Sequence, residues 1–319
     1  MCSMPNGPSR SFHASQAKPD MERAILGPVL RAARPNFLTL TPVCVFVGIA
    51  TAMKSGEHVS IGAALLVLLA ALFAHLSVNL LNEYYDFRSG LDDLTIRTPF
   101  SGGSGSLPAH PEAASAVRAS GMLTLLVTIA IGLYFVSVKG WDLLPLGFLG
   151  VILVAAYTPL ITHRPLLCLL APGLGFGPVM VVGSAFVLVG HYTWMAAIAS
   201  LAPLCLVSEL LLINQFPDIE ADAQVGRRHL PIVIGRRRSA VLFATLLGAA
   251  YASIAVGVIL GILPRLALLA LLTLPAGVLL MVRVVTHAED TKRLILYMGI
   301  NVATIHAMLL LLAIGILLG

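Results

Sequence analysis

Nine apolar runs, each long enough to cross the hydrocarbon core of a bilayer, fill most of the chain and leave little choice of fold. They lie near 36–53, 60–85, 114–137, 142–161, 169–190, 194–216, 239–261, 263–285 and 293–318. In lipid every backbone N–H and C=O needs an internal partner, so runs of this kind become helices. Composition agrees: 58% of the 319 residues are hydrophobic and only 11% charged, more apolar than a soluble core needs. The expectation is an all-α polytopic membrane bundle of nine transmembrane helices over 31–319, behind a disordered tail over 1–30. Residues 1–22 are rich in Ser, Pro and Gly and hold no apolar stretch of the signal-peptide kind.

Cytoplasmic loops retain Lys and Arg, which orients such a bundle. With nine spans, one side collects the N-terminal segment and the loops after spans 2, 4, 6 and 8. Of the 20 basic residues, only Lys54, Lys139 and Arg265 fall on the other side. The N-terminus is therefore expected in the cytoplasm of a cell whose inner (plasma) membrane, of bacterial type, holds the chain. This bias, together with an anionic substrate, accounts for the net charge of +5 without a nucleic-acid partner. Cys2, Cys44, Cys168 and Cys205 fit no disulfide or metal spacing and read as small core residues.

Two acidic clusters of one design interrupt this apolar background: NEYYDFRSGLDD, with Asn82, Asp86, Asp92 and Asp93, and NQFPDIEAD, with Asn214, Asp218 and Asp222. Asn82 and Asp86 recur 132 residues later as Asn214 and Asp218, four spans on, so the chain reads as pseudo-duplicated with both clusters on the cytoplasmic face. Carboxylates at the C-terminal end of a lipid-facing helix oppose both the membrane and the negative helix end, and a bound cation is the natural compensation. At about 100° per residue, Asn214, Asp218 and Asp222 share one helix stripe, and Asn79, Asn82, Glu83 and Asp86 share another. Pro217 opens the backbone locally. If Gly90 turns the chain, Asp92 reaches back to the site; if the helix continues, Asp93 faces it. Hard oxygen ligands with Arg88, Arg97, Arg164, Arg227 and Arg228 on the same side suit Mg²⁺ shared with phosphate oxygens, in a diphosphate pocket open to the cytoplasm. The glycine-rich loop RTPFSGGSGSLPAHP, residues 97–111, is too long for a tight turn and reads as a lid over that pocket.

These motifs resemble the UbiA superfamily of intramembrane prenyltransferases, which carry an Asn-x-x-x-Asp motif in each half of a nine-helix bundle. NEYYDFRSGLD is similar to the version in menaquinone-type enzymes that prenylate 1,4-dihydroxy-2-naphthoate, with Glu83 where an Asp is usual. LRAARPNFLTLTPVCVFVG, APGLGFGPVMVVGSAFV and DIEADAQVGRRHLPIVIGR resemble further motifs of that branch, in the same order, over roughly residues 30–318. The resemblance implies Mg²⁺-dependent transfer of an isoprenyl chain from an allylic diphosphate to a small aromatic acceptor, with release of diphosphate. It implies Asp86, Asp218 and Asp222 as main metal ligands, with Asp92 or Asp93 as the fourth carboxylate. Asn82 and Asn214 would orient metal or phosphate oxygens. Tyr157 would steady the cationic carbon, Arg164 would hold phosphate, and Arg34 and Asn79 would serve the acceptor.

Plainer readings stand beside these. Asp92, Asp93 and Glu220 can be solvated loop acids, Arg236, Arg237 and Arg238 topology anchors, Tyr157 an interfacial belt residue, and Asn79 a partner for a neighbouring helix. An ion-coupled secondary transporter would account for the duplication and Pro217 but not for acids at the membrane edge followed by arginines. A phosphatidyl-group transferase also uses acids and metal, yet its D-G-x-x-A-R element is absent.

Overall fold

A computed structural model describes residues 17–319, with side chains from Ile25 onward; residues 1–16, with Cys2 and Arg10, lie outside it. The described residues form helices and turns without a strand. Eight helices are long and apolar enough to cross a membrane. We label them together with two shorter helices: α1 (Ala17–Ala32), α2 (Pro35–Lys54), α3 (Ile61–Ser89), α4 (Pro111–Lys139), α5 (Trp141–Ala155), α6 (Pro165–Val189), α7 (Trp194–Asn214), α8 (Leu230–Ile259), α9 (Arg265–Thr286) and α10 (Thr291–Leu318).

Three differences from the sequence reading have local causes. The stretch expected as tail is helical from Ala17, and the end of α1 docks: Ala32 and Ala33 pack with Leu80, Leu107 and Val117, and the Pro28 carbonyl accepts from Ser106 Oγ at 2.9 Å. The fourth apolar run yields only the shorter α5, because Pro159 disfavours helix at Thr158 and removes an N–H, and the chain turns instead. α8 begins at Leu230 rather than near 239, but Gly235 is non-helical (φ 81°, ψ 165°), so the lipid-length piece starts after that kink.

Lipid gives little apolar drive for helix association, so small residues and close backbone approach do much of the packing. At Gly48 of α2 a Cβ would lie 2.6 Å from the Val181 carbonyl oxygen of α6, a distance only glycine permits. The main core joins α2, α7, α8 and α10 around Leu206, Phe243, Leu247 and Met308, all buried. Helix α4, by contrast, has few buried residues, as expected of a lipid-facing element. Within α6 the backbone widens to π geometry over Gly175–Val182, where Pro178 lacks the N–H that a regular helix would use.

Candidate functional site

The C-terminal ends of α3 and α7 meet at one end of a cavity of about 670 Å³. One end is polar and includes Asn82, Asp86, Asp92, Asn214, Asp218, Asp222 and Arg227; the rest of the lining is apolar, with residues such as Val67, Leu133, Phe148, Val151 and Met180. A polar end continuous with an apolar remainder fits an amphiphile whose head is drawn to carboxylates, directly or through a shared cation.

The first cluster is built on an unbroken helix. Asp86 sits in the last turn of α3, and Gly90, at φ 75°, turns the chain in the left-handed region. Asp92 therefore reaches back, buried, into the cavity wall, whereas Asp93 is exposed and lies outside it. One turn earlier, Asn82 Nδ2 donates to Thr158 Oγ1 at 3.2 Å, and Asn79 lines the cavity while donating to the Ala33 carbonyl at 3.0 Å.

The second cluster is not one stripe on a continuous helix. Helix α7 stops at Asn214; the Phe216–Pro217 step breaks it, and Asp218 precedes a short helix, Ile219–Gln224, that carries Asp222. All three polar residues still line the cavity.

Arg227 joins the clusters, donating to Asp86 Oδ1 and, at 3.0 Å, to Asp222 Oδ1. His229, buried, meets the other Asp222 oxygen at 2.9 Å. The glycine-rich loop closes over the mouth: Gly102 N–H donates to Asp218 Oδ2 at 3.2 Å, and Ser104 N–H to Glu83 Oε1 at 3.0 Å. Glu83, fully buried, also accepts from Ser104 Oγ and from Arg34 Nη2 at 2.7 Å.

Several oxygens are left over. Asp92 Oδ2, Asn214 Oδ1 and Asp218 Oδ1 are buried with no hydrogen-bond partner, an arrangement costly to the protein unless a ligand completes it. Burial, then the charges of Glu83 and Asp86, pushes the Asp92 carboxyl up to about 7; burial, then Asp222, does the same for Asp218, to about 7, against the Gly102 N–H. Among the described residues no three acidic, His or Cys side chains converge closely enough to hold an ion alone, so the acids form two open half-sites rather than a closed cage.

The arginines divide. Arg227 and Arg34 line the cavity, but Arg88, Arg97, Arg164 and Arg228 are exposed and do not, which corrects their grouping with the pocket. Arg88 is two residues, about 200°, round the helix from Asp86, and Arg228 follows Arg227 in non-helical chain. Arg97 stays near through a 3.4 Å contact to the Asp92 carbonyl. Tyr157 lines the cavity, its hydroxyl pushed well up by burial. Sequence reasoning overlooked His229, Thr158 and Thr162; of these only His229, in the GRRHLP stretch beside Arg227, left a visible signal.

The sequence matches the UbiA prenyltransferase family over residues 41–305. It is 29% identical over 234 residues to the 1,4-dihydroxy-2-naphthoate octaprenyltransferase of Bacillus subtilis (strain 168), spanning 72% of this chain and 73% of that one. Among solved structures, the UbiA homolog from Aeropyrum pernix K1 superposes with a TM-score of 0.65 at 19% identity, covering 88% of this chain and 97% of that chain. A UbiA homolog from Archaeoglobus fulgidus bound to GPP and Mg²⁺ does so with a TM-score of 0.58 at 14% identity, covering 89% and 99%.

Proposed function

Since the chain belongs to the UbiA prenyltransferase family and is a multi-pass membrane enzyme of that type, we propose that it transfers an isoprenyl chain from an allylic diphosphate to a small aromatic acceptor of the 1,4-dihydroxy-2-naphthoate kind, with Mg²⁺ as cofactor. The observation that carries this reading is the convergence of both acidic clusters on the polar end of one otherwise apolar cavity. The naphthoate activity named for the Bacillus subtilis relative supports the acceptor class.

The residues fit the metal. Mg²⁺ prefers hard oxygens and is usually held by one or two carboxylates plus substrate phosphates, which two open half-sites with orphaned oxygens suit better than a closed cage would. Asp86 and Asp92 would hold metal on one side and Asp218 and Asp222 on the other, with Asn82 and Asn214 orienting oxygens. Bound Mg²⁺ supplies positive charge that stabilises the departing diphosphate. Arg227, now the counter-charge of Asp86 and Asp222, holds phosphate. The Tyr157 ring steadies the allylic cation, and the apolar wall carries the isoprenyl chain and excludes water. Arg34 and Asn79 serve the acceptor.

The topology reading is part of the proposal: nine crossings in two related halves, residues 31–319 as the transferase domain, and a cytoplasmic N-terminus. The short α5 supports the ninth crossing. It starts where the Tyr192 hydroxyl donates to the Asp142 carbonyl oxygen at 2.7 Å, and leads to Thr158 beside Asn82.

Purified protein in detergent, given a labelled allylic diphosphate and a panel of naphthoate, benzoate, homogentisate and glyceryl-phosphate acceptors, should release diphosphate and prenylate the naphthoate only with Mg²⁺. Absence of metal-dependent diphosphate release with every acceptor would overturn the proposal.

A further inference from the structure

The Phe216–Pro217 break leaves a backbone acceptor to be satisfied. In a continuous helix the Phe216 carbonyl would accept from the N–H of Glu220, four residues on; among the described residues no backbone N–H reaches it. Its partner comes from another helix: Arg236 Nη1, on α8, donates to it at 2.8 Å. The same nitrogen reaches Thr291 Oγ1, at the start of α10, at 3.2 Å, and Nη2 reaches Glu220 Oε1 at 2.9 Å. One guanidinium thus ties together the break, the short helix that follows it and α10.

Three arginines run together at 236–238, and the charge bias of cytoplasmic loops accounts for all three equally. The structure separates them. Arg237 and Arg238 are exposed, whereas the Arg236 side chain is only 16% exposed. Gly235, at φ 81°, kinks α8 and makes Arg236 the first residue of its lipid-length piece. A cation there opposes the positive helix end, so helix electrostatics do not explain the inward turn. Nor do its ion pairs: the Glu220 and Glu289 side chains are 70% and 67% exposed, where such pairs contribute little. What remains is a charged donor on a backbone carbonyl that has lost its helical partner. The Phe216 ring, fully buried in the main core, fixes the other side of the same residue. Asp218 follows two residues later and Asp222 six, so the placement of this one peptide governs where both carboxylates stand. The first cluster needs no such clamp, because α3 continues unbroken through Asp86.

Resting on the metal-dependent transferase reading above, we infer that Arg236 is a positioning residue of the second acidic half-site: its guanidinium stands in for the helix hydrogen bond lost at the break and so aims Asp218 and Asp222 at the shared metal. Arg236 does not line the cavity and acts through the backbone alone.

The test pairs amide hydrogen exchange with calorimetric Mg²⁺ titration of the full chain in detergent. Arg236→Met should speed exchange over Ile219–Gln224 about tenfold or more and leave the end of α3 unchanged, and should weaken Mg²⁺ binding about tenfold. Arg236→Lys, which keeps the charge and a donor, should lose less and carries the test if the methionine variant does not fold. Arg237→Met, an equal charge loss at an exposed site, and Glu220→Gln should alter neither readout. With Asp86→Asn present, Arg236→Met should still cost its tenfold; with Asp218→Asn and Asp222→Asn together, it should cost nothing further. Unchanged exchange over Ile219–Gln224, an equal effect of Arg237→Met, unchanged Mg²⁺ affinity, or the same added loss in both backgrounds would each overturn the assignment. Absence of Mg²⁺ binding by the wild type, with the segment still opening in Arg236→Met, would sink the metal-dependent reading instead and leave Arg236 as the clamp of the break.

Discussion

The two acidic clusters share a sequence pattern and differ in construction. The first hangs on an intact helix, α3, and is completed by a glycine turn that folds Asp92 back; the second follows a helix that has already ended at Asn214 and depends on a proline break and a short helix. Their supports differ in part: Glu83, Arg34 and Ser104 bond to one another beside the first, His229 meets Asp222 in the second, and Arg227 reaches both. What is repeated is therefore the set of carboxylate and amide side chains and not the backbone that presents them. A divalent ion shared with phosphates requires oxygen atoms around a common space, and several backbone routes can deliver them.

If the clusters are equal halves of one centre, Asp86→Ala and Asp218→Ala should lower transfer alike, by about 10²–10³-fold, with insertion and fold preserved by size-exclusion chromatography and circular dichroism. Full activity in either variant breaks the pairing. Arg227→Met removes the cation between Asp86 and Asp222 and should lower stability by about 2–3 kcal/mol, less than for a dry buried pair because the mouth opens to solvent. Thermal unfolding with and without Mg²⁺ measures it, and added Mg²⁺ should recover part of the loss.

Proton competition acts on both halves, since Asp92 and Asp218 are each held near 7. Only ionised carboxylate ligates, so Mg²⁺ affinity should rise as pH increases through 7 and fall about tenfold per unit below it for each carboxylate involved. Without metal the sign for stability is opposite. The folded state keeps protons that the unfolded chain has released, so stability should decline as pH rises from about 4 to 7. Calorimetric Mg²⁺ titrations at several pH values read the first effect, and denaturant melts read the second. His229→Ala should weaken Mg²⁺ binding about tenfold through Asp222 alone, so an identical loss in a variant already lacking Asp222 would contradict the role of His229 as a brace of that carboxylate.

The bundle was legible because lipid leaves so few backbone options: long apolar runs become helices, and eight of the nine expected spans are helices of crossing length. The remaining one, the fourth, shortened ahead of Pro159, where a turn that holds the buried Thr158 was hidden within an apolar string. Asp86, Asp218 and Asp222 could be singled out because an acid at a membrane edge demands a reason, whereas the outward direction of Arg88, Arg164 and Arg228 depends on helix phase and on turns that charge patterns do not encode. Which of Asp92 and Asp93 lines the cavity needed the Gly90 dihedral. His229 and the Arg34–Glu83 pair escaped because their partners are distant in sequence or lie on another element, which only packing reveals.

The central claim is that both clusters together grip one anionic head group through metal. Binding of an unreactive allylic thiolodiphosphate to the purified protein, titrated with Mg²⁺, tests it most directly. The account predicts binding that requires Mg²⁺ and is lost equally in Asp86→Asn and Asp218→Asn; binding that is independent of Mg²⁺, or that survives either substitution at wild-type strength, would contradict it.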